Sequence, residues 1–131
     1  MLACINGEFV DADKASIKVS DLSIQRGYGV FDLFRTVNGK PLFLNDHLNR
    51  FFRSAEKMHL SCTFSRETLI ATIYELIAKN GTDQAGIRIT LTGGYSADTY
   101  TLSRPNLIIT QHALKLPKTE EVEKGIRAIG Y

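Results

Sequence analysis

The chain has no tryptophan, only three prolines, two cysteines and two methionines among its 131 residues. So little proline leaves long stretches free for regular helices and strands, because each proline removes a backbone donor and fixes φ. Cys4 and Cys62 are too few and too far apart for the disulfide framework of a small secreted domain, so buried thiols are the expectation. No apolar run approaches the roughly 18 residues of a membrane-spanning helix, and the opening MLACINGEF lacks the basic start and apolar centre of a secretion signal. Charge of one sign is never blocked: 16 lysines and arginines are scattered among 14 acids, which leaves no electrostatic footprint for nucleic acid or an acidic membrane. His59 and His112 have no carboxylate or cysteine at ligand spacing, so a metal site lacks support. No nucleophile motif surrounds any serine. The expectation is a cytoplasmic chain that binds neither nucleic acid nor membrane.

What is present is an ordinary folding composition, 44% apolar and 23% charged, with length for one core burying roughly two-thirds of the unfolded surface. Asn-Gly occurs three times. Asn6-Gly7 and Asn38-Gly39 lie between alternating apolar runs, where a two-residue turn needs positive φ at both positions, and they predict hairpins. Asn80-Gly81 follows a 3.6-residue period and predicts a left-handed helix cap. The resulting order is a hairpin over residues 2–10, a short strand over 17–19, and a hairpin pairing 30–37 with 41–44. A helix then runs from Asn45 as N-cap to about residue 59, with Asp46 at the positive end of its dipole and a stripe of Leu48, Phe51, Phe52, Ala55 and Met58. A second helix, capped by Ser65, presents Leu69, Ile70, Ile73, Leu76 and Ile77. GIRITLTGG (86–94) and NLIITQHAL (106–114) are strands by their β-branched content. Helices set between strand groups joined by hairpins predict an α+β fold with a mostly antiparallel sheet. The domain occupies residues 1–114, polar KLPKTEEVEKG (115–125) is a linker, and IRAIGY (126–131) begins a strand with no partner, as if opening a second domain.

Three groups of residues invite a chemical reading. The glycines of RGYGVFD could bring backbone N–H groups to a phosphate, but a strand follows them where a dinucleotide fingerprint has a helix, and a plain turn explains them too. In His47-x-x-Arg50, the arginine lies far round the helix from the apolar stripe; it is either a solvated side chain or a guanidinium aimed at an anion. Strand alternation puts Phe31, Leu33 and Arg35 on one face and Val30, Asp32 and Phe34 on the other, so either both faces are covered or one borders a pocket.

Taken together, Asp21, Gly27, Gly29-Val30-Phe31-Asp32, Asn38-Gly39, His47, Arg50 and Ser54-Ala55 form an ordered series. With NGEFV, GIRITLTGG and LPKTEEVEKGIRAIGY, it closely resembles the amino-terminal region of the class IV, fold-type IV, pyridoxal-phosphate aminotransferases. That group includes branched-chain and D-amino-acid aminotransferases and aminodeoxychorismate lyase. The resemblance implies the small N-terminal domain of such an enzyme, with pyridoxal 5'-phosphate as cofactor in the full-length protein and Arg50 on its phosphate. It implies Phe31, Leu33, Tyr95 and Tyr100 around the substrate, an amino acid or 2-oxo acid. It implies no catalytic residue here, because the Schiff-base lysine belongs to a larger C-terminal domain beyond residue 131, so this chain alone is expected to be inactive and to carry no covalently bound cofactor. A homodimer is the expected assembly.

Phe31 resembles the branched-chain type, and Asp98 and Tyr100 stand where D-specific members carry arginine and histidine, so the expected substrate is a branched-chain L-amino acid. An aminodeoxychorismate lyase domain, or a non-catalytic binding or dimerisation module, are the alternatives.

Overall fold

Asn6 and Gly7 both take positive φ, 51° and 91°, the backbone that a two-residue hairpin demands. Around them β1 (Leu2–Ile5) pairs antiparallel with β2 (Glu8–Asp11). Asn38 and Gly39 repeat the turn, at 51° and 71°, joining β3 (Gly29–Val37) to β4 (Lys40–Pro41). The structure, a computed structural model, describes residues 1–130.

Helix α2 spans Leu44–Lys57 and starts earlier than the sequence predicts. Its N-cap is Phe43, in a left-handed conformation and with no side-chain cap, while Asn45 accepts from the Arg66 guanidinium. This early start leaves β4 only two residues where four were expected. Helix α3 (Arg66–Asn80) begins and ends as predicted: the Ser65 hydroxyl accepts from the Thr68 N–H at 3.1 Å, and Gly81 closes the helix at φ 63°.

Residues 17–19 form no strand, contrary to expectation; the Asp21 N–H bonds to the Lys18 carbonyl, and Asp21 then caps α1 (Leu22–Arg26), a helix the sequence reading missed. Strands β5 (Ala85–Thr92) and β6 (Leu107–Ala113) lie close to where they were expected. Within the expected linker, α4 (Thr119–Lys124) is a short helix with no buried residue. Residues 125–130 are not a strand; Ile126 and Ile129 lie exposed and make no ladder. Tyr131, also part of that expected strand, lies outside the described residues.

The strands form one sheet in the order β2-β1-β6-β5-β3-β4, and its pairings are antiparallel, which is the expected α+β architecture. Inward positions of the strands, Cys4, Phe34, Ile87, Ile89, Leu91, Leu107 and Ile109, share a core with Leu48, Phe51 and Ala55 of α2 and Leu69, Ile73, Leu76 and Ile77 of α3. Full burial of each large side chain contributes about 1.5–3 kcal/mol, which fixes α2 and α3 on this face. Strand alternation then determines what the opposite face displays.

Candidate functional site

The alternation of β3 sends Asp32, Phe34 and Thr36 beneath the helices, all at most 3% exposed. Asp32 is thus a carboxylate in an apolar layer, and α2 supplies its partners at positions three apart on one helix face. The Arg50 Nε donates to one Asp32 oxygen at 2.7 Å and Nη2 donates to the other at 2.8 Å. His47 Nδ1 lies 2.7 Å from Asp32; an ionised carboxylate only accepts, so this nitrogen carries the hydrogen. The His47 ring also packs at 5.4 Å from Phe34. Burial pushes the Asp32 carboxyl up, but the hydrogen bonds from Arg50 and His47 outweigh it and hold the group below the ordinary carboxylate range.

Arg50 is therefore not simply solvated, nor is it free, as a reading of its helix alone suggested. One edge of the guanidinium is anchored on Asp32, while the side chain remains 65% exposed. Its Nη1 amino group has no protein partner among the described residues. A buried acid has fixed the direction of an outward cation. Sequence reasoning placed all three residues but missed their union; the signal was an acid at an inward strand position beside a His-x-x-Arg helix.

Phe31 and Leu33 flank Asp32 in sequence and share the opposite face, at 55% and 45% exposure. Within this chain, then, β3 is covered on one face only, and the face with Phe31 and Leu33 is open. Arg88 and Thr90 of β5 lie opposite Leu33 and Phe31, and Thr110 of β6 lies opposite Arg88. The Arg88 guanidinium stacks 3.8 Å from the Phe31 ring centroid. Next along the ladder, the His112 ring covers Gly86; a Cβ there would come within 2.3 Å of Nε2, so a larger residue would have to displace the His112 ring. Leu33, Arg35, His47 and His112 contribute to a depression of about 290 Å³.

Tyr95 and Tyr100 are not brought to that wall. Tyr95 bridges to Asp21 and borders a separate hollow of about 480 Å³ with Arg104 and Asn106. Tyr100 is 69% exposed, with the Arg26 guanidinium 5.0 Å from its ring. Between them Asp98 accepts from the Ser96 hydroxyl at 2.8 Å, from the N–H groups of Tyr100 and Thr101 at 2.9 and 2.7 Å, and from the Thr101 hydroxyl. These bonds, the Thr101 hydroxyl first, hold Asp98 well below the usual carboxylate range.

The Gly-Tyr-Gly segment is no phosphate cradle, because the N–H groups of Gly27 and Tyr28 are spent on the Ser23 and Leu22 carbonyls of α1. Gly27 caps that helix at φ 64°, and the Tyr28 hydroxyl donates to the Met58 carbonyl at 2.7 Å, tying the turn to the end of α2.

The sequence model of the family described as amino-transferase class IV matches residues 29–130. A D-alanine aminotransferase of Staphylococcus haemolyticus is 30% identical over 127 residues, covering 95% of this chain and 45% of its own length. One from Listeria innocua is 33% identical over 94 residues, covering 72% and 32%. Among solved structures, the branched-chain aminotransferase of Thermoproteus uzoniensis, determined with norvaline, superposes with a TM-score of 0.76 at 27% identity, over 88% of this chain and 41% of that one. The branched-chain aminotransferase of Escherichia coli gives 0.76 at 22% identity over 86% and 41%, a likeness of fold. The chain spans less than half the length of the curated relatives it matches.

Proposed function

The chain belongs to the class IV aminotransferases, and from that membership we propose that it is the N-terminal domain of a pyridoxal-phosphate-dependent transferase, with Arg50 on the cofactor's phosphate. The observation that carries this reading is the anchored guanidinium: Asp32 engages Nε and Nη2, and Nη1 is left for an external anion. Such a group fits a phosphate, because a planar cation aimed in advance loses little freedom when it binds. Asp32 and His47 would act through Arg50 by fixing its direction. Phe31 and Leu33 would form an apolar wall on the substrate side.

Pyridoxal phosphate, when bound in the complete protein, supplies the electron sink that lets an amino group move between an amino acid and a 2-oxo acid. The residues of this chain would position it and shield it from water. We place the domain at residues 1–114, followed by a linker over 115–125 and the start of a second domain at 126–131. That second domain would supply the cofactor-binding lysine, so the isolated chain would be inactive. A homodimer in the cytoplasm, the latter in keeping with unpaired Cys4 and Cys62, completes the proposal.

A branched-chain L-amino acid is the substrate we favour, because Asp98 and Tyr100 stand in the loop where D-specific members carry arginine and histidine. The D-alanine aminotransferases among the relatives favour a D-amino acid as the second reading. The decisive experiment titrates pyridoxal phosphate into the full-length protein containing this chain, by absorbance, with and without Arg50→Ala. Loss of charged hydrogen bonds should raise Kd by about 10–100-fold; unchanged affinity would refute the assignment. Turnover of L-leucine against D-alanine then separates the two substrate readings.

A further inference from the structure

The fork that joins Arg50 to Asp32 is planar, and taken alone it has one soft degree of freedom. Two parallel bonds keep guanidinium and carboxylate coplanar, but the terminal torsion of an aspartate is broad and roughly two-fold. The pair could therefore turn as a unit about the Asp32 Cβ–Cγ bond and sweep Nη1 through an arc. Packing does not hold Arg50, whose side chain is 65% exposed. A third donor does. His47 Nδ1 meets Asp32 Oδ1 at 2.7 Å, on the oxygen that already accepts from Nη2 at 2.8 Å, and it lies 3.5 Å from Nη2. A carboxylate held by three donors on two oxygens cannot turn without breaking one of those bonds. The imidazole is itself held: the Phe34 ring, two residues from Asp32 on the same face of β3, lies 5.4 Å from it, and the adjacent Leu48 is fully buried in the core. Nδ1 carries its hydrogen both in the neutral tautomer that this contact requires and in the charged ring, so the donation persists in either form.

We propose that His47 is a positioning residue for the cofactor's phosphate: it does not touch that group, but its Nδ1–H fixes the plane of the Asp32 carboxylate and with it the direction of the Arg50 Nη1 donor. This rests on the assignment of Arg50 to the phosphate above and adds a requirement to it, a hydrogen-bond donor at one atom of residue 47. The test titrates the full-length protein containing this chain, by absorbance, with pyridoxal phosphate and with pyridoxal, which has the same ring and aldehyde but no phosphate. Wild type, His47→Leu, His47→Asn and Arg50→Ala are compared. Leucine fills space without donating, whereas the amide nitrogen of asparagine is as many bonds from the backbone as Nδ1 and can donate to the same oxygen.

His47→Leu should raise Kd for pyridoxal phosphate by about 10-fold and leave Kd for pyridoxal as in wild type, which also reports that the variant is folded. His47→Asn should recover most of the loss. Unchanged affinity for pyridoxal phosphate in His47→Leu overturns the proposal. So does an equal loss for both ligands, which would mean that His47 acts through packing, and so does a His47→Asn variant as weak as His47→Leu, which would mean that the donor is not what matters. Failure of the Arg50 assignment reads differently: Arg50→Ala would then lose no more affinity for pyridoxal phosphate than for pyridoxal, and the role of His47 would fall with it.

Discussion

Asp21 and Asp32 are both buried carboxylates, and they remain ionised by different means. Asp32 uses two side chains from a neighbouring helix, Arg50 and His47. Asp21, at 0% exposure, has only neutral donors: the Ser23 N–H and hydroxyl on one oxygen, the Thr92 hydroxyl and Asn106 amide on the other, each at 2.7–2.8 Å. Burial raises its pKa, and these bonds more than reverse that, so its folded value lies below the ordinary one. The stability it contributes is therefore complete above the unfolded carboxylate pKa of about 3.9 and is lost as the pH falls through the lower folded value. Asn at this position must turn an amide donor toward donors. Asp21→Asn should cost about 1–3 kcal/mol in urea unfolding at pH 7, and its stability should fall less steeply than that of wild type below about pH 4. Equal stability at neutral pH would show that this cluster does not hold α1 to the ends of β5 and β6.

Elements with a strong period were legible, and those decided by a single neighbour were not. The stripes of α2 and α3 and the first two Asn-Gly turns follow from spacing alone, and the structure has them. Helix α1 is five residues long, below the length at which periodicity speaks, and is held by Asp21, whose partners Thr92 and Asn106 are distant in sequence. The union of Arg50 with Asp32 escaped notice for the same reason: a helix turn and a strand position meet only once the core sets their relative orientation.

The start of α2 was misplaced because Phe43, a poor residue for the task, takes the left-handed region at φ 52°. That backbone costs a bulky L-residue about 1–2 kcal/mol, and Phe43, 74% exposed, recovers little by packing. Phe43→Gly should accordingly stabilise the folded chain by about 1 kcal/mol or less after the added freedom of the unfolded glycine is subtracted, read as a higher urea midpoint. A lower midpoint would mean that the Phe43 ring stabilises this chain by more than the left-handed backbone costs.

At the scale of the molecule, the sheet is finished on one face only. Helices α2 and α3 close the core side, while Phe31, Leu33 and Arg88 stand on an open side, beyond which a second wall would have to come from elsewhere. The sequence disclosed the one-domain core but not which sheet face would be bare, because β3 is apolar on both faces. The same logic applies to residues 114–130. Helix α4 has six residues and buries none of them, too short to be stable by itself in water, and its ion pair of Lys124 with Glu120 is exposed and worth little. Lys115, Lys118 and Lys124 are all exposed there, in backbone with few buried contacts and therefore low local opening energy. The sheet strands, by contrast, open only with the core. If the domain ends near residue 114, brief trypsin treatment of the full-length protein should cut first after one of these three lysines and release a fragment that keeps β1 to β6, as mass spectrometry would read. A first cut within residues 1–113 would place the boundary elsewhere. Protection of all three lysines would mean that this segment is packed against the rest of the protein and that the linker assignment is wrong.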